Sequence, residues 1–216
     1  MPFSAIVSLL YSTSLRLGYN GTMSNRKKRI WMAGTILCAL VCAGTWLAMG
    51  SDAFGSLGIA RLGDGGAPLD MRPGYTPEDA STLLTVLGTE GRAFYQRFLL
   101  IDLAFIASFA WLQVAITRGL AHKSGMQAFA RILTGFCLAR AGFDLLEDSA
   151  FILLIARHPS FSEALARAAG LFTWLKFALL VPWLIWLAAV GIRLLRKSRQ
   201  RTTDESTQLP PHSPSV

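Results

Sequence analysis

The chain has 216 residues, of which 52% are hydrophobic and 16% are charged, and its formal net charge at pH 7 is +8. Soluble domains carry about 25% charged residues, whereas the apolar residues here lie in runs close to the ~20 that a membrane-spanning helix needs. This composition excludes a disordered chain, a collagen and a disulfide scaffold. It also excludes a soluble nucleic-acid-binding domain, because the basic residues flank the apolar runs. We therefore predict a multi-pass membrane protein that is embedded in the lipid bilayer and binds no nucleic acid.

The N-terminal residues 1–29 are predicted to form a cytoplasmic lead, either flexible or lying at the membrane interface. The apolar stretch 3–11 is short, and it lacks the basic region and the small-residue cleavage site of a signal peptide. Both Met1 and Met23 are candidate start positions. Met23 is followed closely by the basic block 26–29, which suits a first helix that enters the membrane from the cytoplasm.

Four apolar runs predict four transmembrane helices, because backbone polar groups in lipid must be satisfied within their own element. They form a predicted transmembrane domain of residues 30–196, with spans at 30–49, 98–116, 132–156 and 171–192. The predicted fold class is all-α: an up-down bundle of four transmembrane helices, with a short extracytoplasmic helix before the second span.

The basic residues predict how this bundle is oriented. Placing both termini in the cytoplasm puts twice as many Lys and Arg residues on the cytoplasmic flanks as on the opposite side. An even number of spans agrees with this topology. The polar, Pro- and Ser-rich end of the chain, residues 197–216, is predicted to be a disordered cytoplasmic tail.

The predicted extracytoplasmic loop, residues 50–97, has a Gly-rich first half that we expect to be irregular. Its second half contains Thr76 followed by Pro77, a capping residue before a proline suited to the first helical position. A short amphipathic helix is expected there, with Gly88 as its stop and Thr89 as the cap of the next helix. This helix either orients the second span, which we favour, or forms a lid over the bundle.

Familiar catalytic and cofactor-binding motifs are missing from the sequence, so we expect no catalytic residues, no metal and no cofactor. The three histidines lie far apart, without metal-ligand spacing. Cys38 and Cys42 share one face of the first span with Gly34, which predicts close helix packing and not a redox pair.

Six ionisable residues inside the predicted spans are the candidate ligand- or ion-binding site. They are Asp102 in the second span, Arg140, Asp144, Glu147 and Asp148 in the third, and Lys176 in the fourth. Each costs about 2.5 to 3.5 kcal/mol at a helix centre. The four residues of the third span cover an arc of about 100°, so this face must turn toward the bundle interior or a wet cavity.

The depths of these residues predict which of them meet. A rise of ~1.5 Å per residue places four at similar depths in the outer half: Asp102, Glu147, Asp148 and Lys176. Arg140 and Asp144 lie deeper, one turn apart, and are predicted to pair. Four acids face two bases, so at least one carboxyl should be protonated, bound to a cation or open to water. The alternative is a set of ion pairs that only fixes helix register.

Residues 87–95, LGTEGRAFY, together with Asp102, with Asp144-Leu-Leu-Glu147-Asp148 and with Lys176, carry a resemblance to known sequences. Over about residues 75–180, the chain resembles a group of uncharacterised bacterial four-span integral membrane proteins with a Leu-Gly-x-x-Gly-Arg-x-x-Tyr loop and an Asp-x-x-Glu-Asn element. It departs at Asp148, where the group more often has Asn, and after Asp102, where a proline is often found. The resemblance implies a four-helix bundle in the bacterial inner membrane, and no activity.

The function expected from these residues is the binding of a small polar or amphiphilic molecule, a cation or a proton by a non-enzymatic membrane protein. One alternative is a membrane enzyme acting on a lipid-like substrate, with Glu147 or Asp144 as acid or base and Lys176 or Arg140 as an anchor. Another is an accessory subunit whose polar face pairs with a partner membrane protein. A homo-oligomer is also compatible with such a small number of spans.

Overall fold

The computed structural model describes residues 24–72 and 74–207, and this part of the chain is helical, without strands. The predicted all-α fold class is therefore confirmed. Residues 1–23 of the predicted lead and residues 208–216 of the predicted tail lie outside the described residues. The helices are α1 (Asn25–Met49), α2 (Ser56–Leu62), α3 (Pro77–Val86), α4 (Gly88–Ser124), α5 (Gln127–Arg157) and α6 (Glu163–Thr207), with a 3-10 turn at Leu69–Met71.

Within residues 24–72 and 74–207, three helices are long and apolar enough to cross a membrane, as a multi-pass membrane protein requires. They are α1, α4 and the Glu163–Leu194 part of α6. Large apolar side chains on α1 point away from the protein, with Leu37 62% and Leu47 74% exposed. Helix α5 is long as well, with 31 residues, but it carries four charged residues in its middle.

The bundle consists of a three-helix core with α1 on its outside. Helix α5 packs against both α4 and α6, and α1 packs against α4. Between α4 and α6, the Trp183 indole N–H donates a hydrogen bond of 2.9 Å to the Thr117 hydroxyl. Between α1 and α4, the Trp111 indole donates one of 3.3 Å to the Thr35 hydroxyl, close to Gly34. Gly34 on α1 thus leaves room for the Trp111 side chain of α4 to pack closely.

The segment between α1 and α4 folds onto one end of the bundle, called the loop end below. The capped helix predicted there is present as α3, with Pro77 at its start and reciprocal hydrogen bonds between Thr76 and Asp79. Its apolar face, with Leu83 and Leu84, is buried in a core that also contains Tyr95 of α4 and residues of α5. Helix α3 therefore closes this end of the bundle by packing on it.

Two local expectations for this segment are wrong. Its Gly-rich first half contains α2, because Gly58 has no side chain to collide with the Phe94 ring and the Asp52 backbone. Thr89 does not cap the second span. Gly88 has a φ of +60°, so the chain turns within one residue and α4 begins there, directly after Leu87.

The helices also extend beyond the predicted spans, most of all at the C-terminus. Helix α6 continues to Thr207, whereas residues 197–207 are predicted to be disordered. This part of the chain has no Gly or Pro. Extending a helix that has already formed avoids the cost of nucleation, so a polar sequence without Gly or Pro can continue the helix beyond the apolar span.

Candidate functional site

Four of the predicted site residues form one connected set of ion pairs between α5 and α6. Lys176 places its Nζ 2.8 Å from Asp144 Oδ1 and 2.6 Å from Glu147 Oε2. Arg140 Nη1 donates a hydrogen bond of 2.7 Å to Asp144 Oδ2, as the spacing of these two residues predicts. Two bases and two acids balance, and we call Arg140, Asp144, Glu147 and Lys176 the ion-pair group.

Uncharged groups from α4 and α6 complete the ion-pair group. Arg140 Nε donates a hydrogen bond of 3.0 Å to Gln113 Oε1 on α4, and its guanidinium carbon lies 4.8 Å from the centre of the Phe109 ring. On α6, the Thr173 hydroxyl lies 2.5 Å from Glu147 Oε1 and donates to it. Each charge of the ion-pair group is therefore buried with a partner, which is what a low-polarity surrounding demands.

The position of α5 explains why its charges can be buried. It lies between α4 and α6, and its polar residues recur at intervals of three and four, which keeps them on one side of the helix. All four are buried. Apolar clusters lie on either side of this polar layer, one at the loop end and one around Leu133 and Trp186 near the opposite end.

The surroundings of Asp148 differ from those of the other acids of α5. Its side chain is 0% exposed, and neither carboxylate oxygen has a hydrogen-bond partner among the described residues. Asp102 of α4 is also buried, and it lies within electrostatic range of Asp148. The structure thus brings Asp102 and Asp148 to the site but leaves both outside the ion-pair group.

A third acid outside the ion-pair group, Asp70, lies in the same region and belongs to the 3-10 turn, which no sequence pattern predicts. The Tyr95 hydroxyl donates a hydrogen bond of 2.8 Å to Asp70 Oδ1 and accepts one of 3.0 Å from the Leu69 backbone N–H. Burial raises the pKa of Asp70, while Lys176 and the Tyr95 hydroxyl act to lower it. The buried acids then number five, against two bases.

Tyr75, which follows the 3-10 turn, also faces the site. Burial raises the pKa of its hydroxyl, and Glu147 and Asp70 raise it further. The Thr173 side chain of α6 acts in the opposite direction and lowers this pKa. The backbone of Tyr75 lies against Gly170 of α6. The segment between α1 and α4 therefore contributes polar groups to the site as well as covering it.

Some of these additional residues had features that could have indicated them. Gln113 is an uncharged polar residue in the middle of an apolar span, and Thr173 precedes Lys176 by about one helical turn. No such feature indicates Asp70, Tyr75 or Tyr95, because their position at the site depends on how the loop folds back onto the bundle.

The comparisons with known proteins do not identify the chain. No family model, no curated protein and no solved structure matches it. Within the described residues, no three His, Cys, Asp or Glu side chains are placed to hold a metal ion. The chemistry that the arrangement offers is an enclosed surplus of carboxyl groups beside a neutral set of ion pairs.

Proposed function

We propose that the protein crosses the membrane four times, with α5 as the remaining span, and that both termini lie in the cytoplasm of a bacterial cell at the inner membrane. Supporting this topology, the side of α5 opposite its charges is apolar and exposed. The residues there are Leu138, Leu145, Leu146 and Leu153. A helix that is polar toward its neighbours and apolar outward suits a bilayer. The loop end would then be extracytoplasmic.

The proposed function is the binding of a small polar or amphiphilic molecule, a cation or a proton at the buried polar layer, without catalysis. The observation that carries it is the carboxylate of Asp148, which is fully buried and has no hydrogen-bond partner among the described residues. Buried charges are normally paired, and a purely structural network would satisfy all of its members. The family resemblance adds a four-span topology to this proposal and no reaction.

The first test is native mass spectrometry of the detergent-purified protein beside the double variant Asp144→Asn/Glu147→Gln. A matched control is Asp52→Asn/Glu163→Gln, which makes the same two changes in exposed ion pairs of 3.1 Å. For a molecular or ionic ligand, we expect a bound mass in the wild type and in the control, and its loss in the test variant.

A proton is too light for this readout, so the same three proteins are melted across pH 5 to 9. If the ligand is a proton, the melting temperature should depend on pH in the same way in the wild type and in the control. The test variant should show a different dependence on pH. A wild-type protein without bound mass, whose melting temperature does not depend on pH, would overturn the proposal. The polar layer would then be packing, or a surface for a partner membrane protein.

A further inference from the structure

We propose that Asp148 is a proton-binding site, whose carboxyl is occupied by a proton that exchanges with solvent, with Asp102 as its acidic neighbour on α4. This inference rests on the proposed function and names the ligand. Binding consists of one step: an O–H bond forms between a proton from solvent and one Asp148 carboxylate oxygen, and it breaks when the proton leaves. No other reactant is needed.

The geometry separates Asp148 from the two acids that form ion pairs, Asp144 and Glu147. Asp144, one turn earlier on α5, receives Arg140 at 2.7 Å and Lys176 at 2.8 Å. Glu147 receives Lys176 at 2.6 Å and the Thr173 hydroxyl at 2.5 Å. The two buried bases are thus already engaged. Asp148 is more deeply enclosed than Asp144 and has no donor within hydrogen-bonding distance in the described structure.

The charges around Asp148 disfavour a further negative charge. It is faced by Asp102 from α4, Asp70 from the 3-10 turn, Asp144 from its own helix and Lys176 from α6. Three of these four neighbours are acids, and the single base contacts two other carboxylates. An ionised carboxylate in this position would lack both hydration and a partner. A bound proton removes that charge.

The enclosure of the carboxyl favours a proton over larger ligands. The Asp148 side chain has no exposed surface, and a proton is the ligand that requires no space. The described residues also provide no group of three carboxyl, thiol or imidazole ligands for a metal ion. The surroundings of Asp148 and Asp102 therefore fit the binding of one proton better than the coordination of a metal cation.

The test is infrared spectroscopy of the full chain in lipid nanodiscs at pH 7, in H2O and in D2O. We expect a C=O stretching band of a protonated carboxyl that shifts in D2O and fades as the pH is raised. The band should be lost in Asp148→Asn and retained in Asp52→Asn, which changes an exposed acid of the same type. A spectrum without the band, or a band that Asp148→Asn leaves intact, would overturn the assignment.

Thermal unfolding of the same variants gives a second readout. Asn has the shape of a neutral Asp, so Asp148→Asn should melt within a few degrees of the wild type at pH 7 and lose the pH dependence that the wild type shows above it. Failure of Asp148→Asn to fold would contradict the proposal, since it would mean that the charged form is required.

The two proposals fail in different ways. A bound mass that depends on Asp144 and Glu147, without the infrared band, would keep the ligand site and remove only the proton at Asp148. The band without any bound mass would make the proton the ligand. Absence of both, with melting that is independent of pH, would remove both proposals.

Discussion

Helices α1 and α5 differ in which of their side chains are buried and in how many neighbours they have. Helix α1 has no charged residue from 30 to 49, packs against α4, and leaves most of its large apolar side chains exposed. Helix α5 carries Arg140, Asp144, Glu147 and Asp148, and it has neighbours on both sides that bury them. Charged residues in the middle of a long apolar helix are therefore tolerated when neighbouring helices enclose them, as α4 and α6 enclose α5.

The largest effect is expected from breaking the polar side of α5. Asp144→Asn removes the carboxylate that both Arg140 and Lys176 contact, and removing one partner of a buried ion pair costs about 3 to 5 kcal/mol. We expect a loss of that size in the free energy of unfolding, measured by reversible denaturation in mixed micelles. The matched control Asp52→Asn breaks an exposed ion pair with Arg61 and should cost about 0 to 1 kcal/mol. Equal losses in both variants would show that the burial of the ion-pair group has no energetic weight.

A smaller effect is expected from the apolar sides of the two helices, and it sharpens the comparison. Leu154 on α5 is 1% exposed and lies in the core at the loop end, so Leu154→Ala should destabilise the protein by about 2 to 5 kcal/mol. Leu37 on α1 faces away from the protein, and Leu37→Ala should change the stability by no more than about 0.5 kcal/mol. The same unfolding measurement checks both. A large loss for Leu37→Ala would mean that α1 packs against something besides α4.

The smallest effect is expected at α3, where a carboxylate lies in water instead of within the bundle. Hydrogen bonds from the backbone N–H and the hydroxyl of Thr76 lower the pKa of Asp79. The contribution of Asp79 to the stability of α3 is therefore complete above the pKa of an unfolded Asp, about 3.9. It is lost as the pH falls through the lower pKa that Asp79 has in the folded protein. Hydrogen exchange of the α3 amides should accelerate at acid pH in the wild type, beyond the intrinsic change, and Asp79→Asn should lack this step.

The control for this measurement is Glu78→Gln, which removes the neighbouring acid of the same helical turn. It should retain the acid-dependent loss of α3 protection that the wild type shows, because the reciprocal hydrogen bonds join Thr76 and Asp79. An identical pH profile in Asp79→Asn and the wild type would show that this cap does not hold the helix.

Part of the fold and of the candidate site was predictable because it depends on near neighbours in sequence. The apolar runs determine helices, Thr76 and Pro77 determine where α3 begins, and the i,i+4 spacing brings Arg140 to Asp144. The common face of the charges on α5 follows from the helical repeat alone. Residues 197–207, which the composition predicts to be disordered, continue α6, because the extension of an existing helix is not visible in composition.

The tertiary structure alone decided how the charges are shared. The predicted spans contain four acids and two bases. The packing of α5 against α6 assigns Lys176 to Asp144 and Glu147 and leaves Asp148 without a partner in the described residues. The folding of the loop segment brings Asp70 to Tyr95, 25 positions away in sequence. Sequence spacing fixes geometry within a helix, whereas contacts between helices and loops depend on side-chain packing across the whole bundle.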